Sequence, residues 1–255
     1  MPQPWQTGKV IKIENETPTT RRFWIQLTAV DSFDFEPGQF VTLDLPIHEK
    51  PNKRWRSYSI ASWPDGTNVF ELVIVLLEGG AGTNYLFNHV TVGSELTLRG
   101  AQGVFTLPEN IDRDLFFICT GTGVAPFRSM SHHILNHNIS HQNIYLIFGC
   151  RKFSDCLYRS ELEELEKKVT SFHYVPTFSR EIPDDINRLT RTGYVHAVYE
   201  EICNNNVRLD VVENIRIVKP AYFFLCGWKN MIDEAKQKIQ TLGYDRKSIH
   251  QELYG

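Results

Sequence analysis

The sequence predicts a two-domain β plus α/β protein, an antiparallel β-barrel followed by a doubly wound parallel-sheet domain. Three observations lead there. Up to Glu109, short runs of β-branched and aromatic residues recur between Gly/Pro turns, the pattern of an antiparallel barrel or sandwich. After Glu109, apolar strands alternate with helical patterns, which implies a parallel sheet covered on both faces. The 255 residues suit two domains of about 100–150 residues each. The expected division is therefore 1–109 and 110–255.

In the first half, Val10–Glu14 and Arg22–Leu27 read as strands separated by Thr17-Pro18-Thr19. Phe40–Leu45 follows the turn at Pro37-Gly38, Arg56–Ser62 is a further strand, and Val69–Leu77 follows Pro64-Asp65-Gly66. One short helical piece spans Asn84–His89. In the second half, Leu115–Cys119, Ile144–Phe148, Phe172–Val175 and Tyr222–Leu225 are buried-type strands. Helices are expected from Ala125, over Tyr158–Lys168, near Val195–Cys203 and near Ile232–Leu242. Leu162, Leu165 and Val169 recur at helical spacing and read as core.

Composition excludes several classes. The net charge of −3 argues against a nucleic-acid footprint, and the two halves carry −3 and zero, so only local patches inform. No apolar run approaches the roughly 18–20 residues of a membrane span. Met1 to Lys9 lack the regions of a signal peptide, so a cytosolic protein is expected. The five cysteines (Cys119, Cys150, Cys156, Cys203, Cys226) include no CxxC pair, which suggests neither zinc, nor a disulfide framework, nor a built-in iron–sulfur cluster. The nine histidines show no ligand spacing, and no metal site is expected.

Thr120-Gly-Thr-Gly-Val-Ala-Pro126 follows an apolar strand and opens a helix. Gly121 and Gly123 let backbone amides approach a pyrophosphate, which the helix N-terminus would attract, and Pro126 suits the first helical turn. Taken alone, the segment is equally well read as a strand-to-helix turn; it is neither GxGxxG nor a P-loop. On the strand Arg56-Ser-Tyr-Ser-Ile-Ala-Ser62, alternation separates Arg56, Tyr58 and Ile60 from Ser57, Ser59 and Ala61. Taken alone, this is better read as an exposed polar strand. Cys226, at the end of an apolar strand, reads alone as a buried small core residue.

Together these segments fall in one order. Arg56-Ser-Tyr-Ser resembles the RxYS flavin motif of the ferredoxin–NADP+ reductase family, and Phe35-Glu-Pro-Gly-Gln-Phe40 resembles its barrel turn. Gly80-Ala-Gly-Thr-Asn-Tyr-Leu86 resembles its second flavin-phosphate segment, and Gly100-Ala-Gln-Gly-Val-Phe105 its barrel-closing loop. Gly121–Ser129, Gly149-Cys-Arg151 with Asp155 and Tyr158, Ser179-Arg180, and Cys226-Gly-Trp-Lys-Asn-Met231 complete the set.

The resemblance implies FAD, its pyrophosphate held by Arg56 and the loop containing Gly82 and Thr83. Tyr58 would stack on the isoalloxazine, and Ser59 would hydrogen-bond its N5. Gly121, Thr122, Gly123, Pro126 and Gly227 would hold the pyridine nucleotide, with Cys226 contacting the nicotinamide. The ending Glu252-Leu-Tyr254 resembles the Glu-x-Tyr of plant-type members, implying that Tyr254 covers the flavin and Glu252 lines the proton path to N5; here Gly255 follows the tyrosine. Ser59, Cys226, Glu252 and Tyr254 are thus the expected catalytic set.

Ser179-Arg180 suits the 2′-phosphate of NADP, which is placed ahead of NAD. The further basic residue of plant-type members is Gly193 here, before Tyr194, with Arg188 and Arg191 as nearby substitutes. Lys50, Lys53, Arg54 and Arg56 cluster at the flavin strand, where an acidic ferredoxin or flavodoxin would dock. Such clusters are more often plain solvated loops. A monomeric ferredoxin– or flavodoxin–NADP+ reductase is the first expectation. The alternatives are an NADH-dependent reductase component of an oxygenase and a non-catalytic flavin sensor.

Overall fold

The computed structural model describes residues 3–182, 191–210 and 215–254. Its contacts separate two units, Met1–Leu107 with Ala125–Ile139, and Pro108–Val124 with Ser140–Gly255.

The first unit holds strands β1 (Gln6–Thr17), β2 (Thr20–Leu27), β3 (Phe40–Asp44), β4 (Trp55–Ser59), β5 (Val69–Val75) and β6 (Glu95–Gln102), with helix α1 (Ala81–Asn88) between β5 and β6. They form one antiparallel sheet in the order β4-β3-β6-β1-β2-β5. The sheet closes where Ile60 bridges Leu72 and the Ala61 N–H donates to the Glu71 carbonyl at 2.8 Å. Period-two alternation along β2 turns Phe23, Ile25 and Leu27 inward to meet Val10, Val41, Leu43, Leu72 and Leu98.

Helix α2 (Val124–Asn136) lies mostly with this barrel. Its Arg128 is buried and donates to the Ala61 carbonyl at 2.8 Å and to Glu71 Oε2 at 3.1 Å. Glu71 Oε1 accepts from Arg22 at 2.6 Å, so one buried carboxylate bridges two guanidinium groups. Arg128 also lies over the Trp63 ring, on which His132 stacks with centroids 4.0 Å apart.

In the second unit β7 (Asp114–Thr120), β8 (Ile144–Cys150), β9 (Phe172–Phe178) and β10 (Arg191–Thr192) are followed by a separate two-stranded antiparallel sheet, β11 (Arg208–Asp210) with β12 (Ile215–Ile217). Strands β13 (Ala221–Trp228) and β14 (Ile249–Tyr254) then complete a parallel sheet in the order β10-β9-β8-β7-β13-β14. Helices α3 (Arg159–Lys168), α4 (Val195–Asn205) and α5 (Lys229–Thr241) connect them. Strands β7 and β13 are apolar on both faces, as expected of central strands covered on each side. The chain builds outward from β7 to β10 and then returns to lay β13 on the other flank of β7. The carboxyl ends of β7 and β13 are therefore the topological switch point, where open α/β sheets bind ligands. No helix among the described residues is long and apolar enough to cross a membrane.

The architecture is the one expected from the sequence, with additions. Strand β6 and the terminal strand β14 go beyond that expectation. β14 is a half-polar edge strand, recruited by pairing with β13 rather than by its own composition.

Candidate functional site

In the first unit the flavin-motif residues sit on β4 and at the start of α1. Arg56 is half-buried and donates to the carbonyls of Trp55 at 2.7 Å and Lys53 at 3.1 Å. Its aliphatic stem lies against Gly82, where an added Cβ would come within 2.9 Å of Arg56 Cγ. A glycine at 82 thus lets the guanidinium approach the first turn of α1. That turn has no side-chain cap, so its first N–H groups are left without a capping side chain. The Thr83 hydroxyl itself closes the loop, accepting from Leu77 N–H and donating to the Gly80 carbonyl, both at 3.1 Å. The Thr83 side chain is thereby engaged within the loop itself.

Tyr58 packs against the barrel core, and burial pushes its hydroxyl up to about 12, with Arg56 pulling the other way. Ser59 is buried at the end of β4, opposite Phe40. The turn Glu36–Gln39 meets the Gly100–Phe105 loop: Gly38 has φ +102°, and a Cβ there would fall 1.9 Å from the Phe105 carbonyl oxygen. The basic cluster divides. Arg54 is held by Asp44, with its Nε 2.6 Å from Oδ1, while Lys50 and Lys53 are exposed.

In the second unit the two glycine loops meet at the switch point. Gly121 adopts φ +55°, and a Cβ on Gly123 would lie 2.4 Å from the Cys226 carbonyl oxygen. Gly227 has φ +144°, and a Cβ there would lie 2.4 Å from Thr120 Oγ1. No side chain fits at 123 or 227, so the ends of β7 and β13 approach through bare backbone. The Thr120 hydroxyl is buried without a hydrogen-bond partner in this cradle, a polar group left for a ligand. Thr122 is half-buried on the turn between the two glycines. Pro126, third in α2, is buried and belongs with the first unit's contacts.

Strand register assembles the rest. Cys226 pairs with Cys119 on one side and with Glu252 on the other. Burial, with the charge of Glu252 added, pushes the Cys226 thiol well up, and a hydrogen bond links its side chain to Tyr254. Cys226 on β13 and Glu252 and Tyr254 on β14 thus converge at one sheet end. Ser179 and Arg180 follow β9. The Ser179 N–H donates to the Cys150 carbonyl at 3.0 Å, the Arg180 N–H to the Arg151 carbonyl at 2.9 Å, and the Arg180 side chain is exposed.

Tyr194 follows β10, the strand that pairs with β9, and is 72 % exposed. Gly193 has φ +99°, a backbone that favours glycine over any basic residue. Arg191 pairs with Glu201 at 3.7 Å; Arg188 and Gly255 lie outside the described residues.

Sequence reasoning missed the Arg22–Glu71–Arg128 bridge, the orphan Thr120 hydroxyl and the Gly123–Gly227 approach. The glycines were visible signals; the bridge was not, because its members are 49 and 57 positions apart.

The fold and these two sites define an oxidoreductase made of a flavin-binding barrel and a pyridine-nucleotide-binding sheet. Residues 7–107 match the model of the oxidoreductase FAD-binding domain, and residues 117–237 that of the oxidoreductase NAD-binding domain. The chain is 32 % identical over 253 residues to ferredoxin–NADP reductase B of Sorangium cellulosum, covering 97 % of this chain and 96 % of that one. It is 30 % identical to the phenol hydroxylase P5 protein of Acinetobacter pittii, over 96 % of this chain and 64 % of that one. Among solved structures, a ferredoxin NADP+ reductase from Neisseria gonorrhoeae with bound FAD and NADP superposes with a TM-score of 0.78 at 24 % identity, covering 98 % of each chain. The chain belongs to the ferredoxin–NADP reductase family of FAD-dependent NAD(P)H oxidoreductases.

Proposed function

We propose that this chain moves a hydride between NADP(H) and FAD and exchanges single electrons with a ferredoxin or flavodoxin, acting as a cytosolic monomer. The reading rests on one observation above the others: the β7, β13 and β14 ends gather the two glycine turns, Cys226, Glu252 and Tyr254 at the switch point. A bound FAD supplies the change from two-electron to one-electron chemistry; the residues supply binding, orientation and proton handling.

In this reading 1–109 is the FAD-binding domain and 110–255 the nucleotide-binding domain. Arg56 and the first turn of α1 hold the FAD pyrophosphate, and Tyr58 and Ser59 orient the isoalloxazine. Gly121, Thr122, Gly123, Pro126 and Gly227 receive the pyridine nucleotide, with Cys226 against the nicotinamide. A thiol buried and pushed up in pKa stays neutral, which suits a contact residue and not a covalent nucleophile. Glu252 brings a carboxylate to this end through which a proton passes, and Tyr254 offers the aromatic surface.

Ser179 and Arg180 take the 2′-phosphate of NADP, supported by the exposed guanidinium on a fixed backbone and by the Sorangium relative. A second reading, an NADH-dependent oxygenase reductase component, draws on Gly193 and on relatives such as the phenol hydroxylase protein. Steady-state reduction of ferricyanide by NADPH and NADH, on wild type and Arg180→Ala, decides between them. In the NADP reading the variant raises the NADPH KM at least about tenfold and the NADH KM little, as loss of one charge-assisted phosphate contact predicts. Equal changes for both would remove the NADP assignment.

A further inference from the structure

Helices α4 and α5 both begin beside the cradle at the sheet's switch point. α5 starts at Lys229, just past Gly227, and α4 starts at Val195. A Cβ on Gly149 would stand 2.9 Å from Val195 Cγ1 and 3.0 Å from Thr120 Cγ2. The end of β8 is thus held between the first residue of α4 and the Thr120 wall of the cradle.

His196, in the first turn of α4, ties the two helices together. It is buried; its Nδ1 lies 2.8 Å from the Tyr199 hydroxyl, and its Nε2 lies 3.3 Å from Glu234 Oε2 on α5. A carboxylate accepts, so Nε2 carries the proton of the neutral ring, and Nδ1 is left to accept from the Tyr199 O–H. Tyr199 is fully buried, and burial pushes its hydroxyl up, so it keeps its proton and needs that acceptor. The other charged groups acting on the ring are Glu200 on α4 and Lys238 on α5, which pair at 2.7 Å. Lys238 Nζ also lies 3.9 Å from Glu234.

We propose that His196 is a positioning residue for the pyridine nucleotide, a clamp that holds the first turn of α4 to α5 while neutral and releases it on protonation, weakening nucleotide binding. The proposal rests on the reading of the switch point as the nucleotide site.

Protonation makes both ring nitrogens donors. Tyr199 must then present its oxygen to Nδ1, and its own proton is left in the core without the acceptor it had. Glu234 is 55 % exposed, so its attraction for a charged ring offsets little of that loss. Burial accordingly holds the His196 imidazole below its ordinary value, with Lys238 adding to the effect and Glu234 and Glu200 opposing it. An unfolded imidazole, at about 6.5, takes up its proton first. The contribution of the clamp is therefore whole above that pH and is lost as pH falls through the lower folded value. Released from α5, the first turn of α4 carries Val195 away from Gly149, and the Thr120 wall loses its backing.

The test follows FAD-loaded protein from about pH 8 down to about pH 5.5, wild type beside His196→Gln, which keeps a donor near the place of Nε2 and does not titrate. NADP+ affinity is read from the change it makes in the flavin spectrum, and hydrogen exchange by mass spectrometry follows residues 195–199 without nucleotide. Titration of the nucleotide's own phosphate and the intrinsic pH dependence of exchange act on both proteins alike, so the difference between them is the readout. On acidification the wild-type Kd should rise at least about fivefold more than that of the variant. Exchange in the first turn of α4 should speed up in wild type alone. Tyr199→Phe, which removes the buried hydroxyl, should also lose the acid effect, and it serves where His196→Gln fails to fold. Parallel curves for wild type and variants in both readouts would overturn the clamp. Faster wild-type exchange with parallel affinity curves would overturn its link to the nucleotide. A wild type that binds no NADP+ at any pH would instead sink the nucleotide reading, and this proposal with it.

Discussion

Replacing Gly123 by alanine tests the switch-point cradle most directly. The added Cβ would stand 2.4 Å from the Cys226 carbonyl oxygen and 2.8 Å from its carbon, both backbone atoms that no rotamer can move aside. Restoring ordinary contact near 3.4 Å requires the ends of β7 and β13 to part by about 1 Å. A misplacement of about 1 Å in a positioning element costs on the order of 100-fold in rate, which is about 2.7 kcal/mol. The expected outcome is therefore a roughly 100-fold loss of kcat/KM for NADPH in ferricyanide reduction. Retained FAD and an unchanged visible flavin spectrum would show that the barrel is intact. A folded, FAD-loaded Gly123→Ala protein within about twofold of wild type would refute the argument that bare backbone at 123 shapes the nucleotide site.

Further outcomes follow from the same geometry. Arg56→Ala should weaken FAD retention by about 1.5–3 kcal/mol, the worth of a charge-assisted contact, read as flavin released on dilution. Glu71→Gln leaves the buried Arg128 without its counter-charge, and urea unfolding should report a loss of about 3 kcal/mol. Reversing Lys50 and Lys53 to Glu should slow reduction of an acidic one-electron carrier while sparing ferricyanide. The effect should fade as salt shortens the Debye length from about 10 Å at 0.1 M to about 3 Å at 1 M. Arg54 is left out of that variant, since its charge is already held by Asp44 and its reversal would damage the β3–β4 pair.

Much of the fold was legible because its signals are local. β2 alternates, and β7 and β13 are apolar through their middles, so pattern alone separates a half-covered antiparallel sheet from a buried parallel one. Strand β14 was not legible. Its sequence Ile-His-Gln-Glu-Leu-Tyr is half polar, and it becomes a strand because β13 offers an open parallel edge. The same holds for the Arg22–Glu71–Arg128 bridge, which exists only after the barrel has closed and α2 has packed on it.

The site divides along the same line. Gly121, Gly123 and Gly227 stand out in sequence, yet the reason for each differs, and only the fold tells them apart. Gly121 is required by its left-handed backbone in open space, whereas Gly123 is required by the Cys226 carbonyl pressed against it. Cys226 shows the converse: sequence alone made it an ordinary core cysteine, and by burial it is one. What changes its meaning is register, which sets Glu252 beside it and ties its side chain to Tyr254. A buried neutral thiol, a carboxylate and a tyrosine at the carboxyl end of a central parallel strand are each unremarkable alone. Their convergence at the point where the sheet reverses its winding is what makes a core residue a site residue. Sliding β14 by one position would move Glu252 and Tyr254 to the other face of the sheet and leave Cys226 a core thiol.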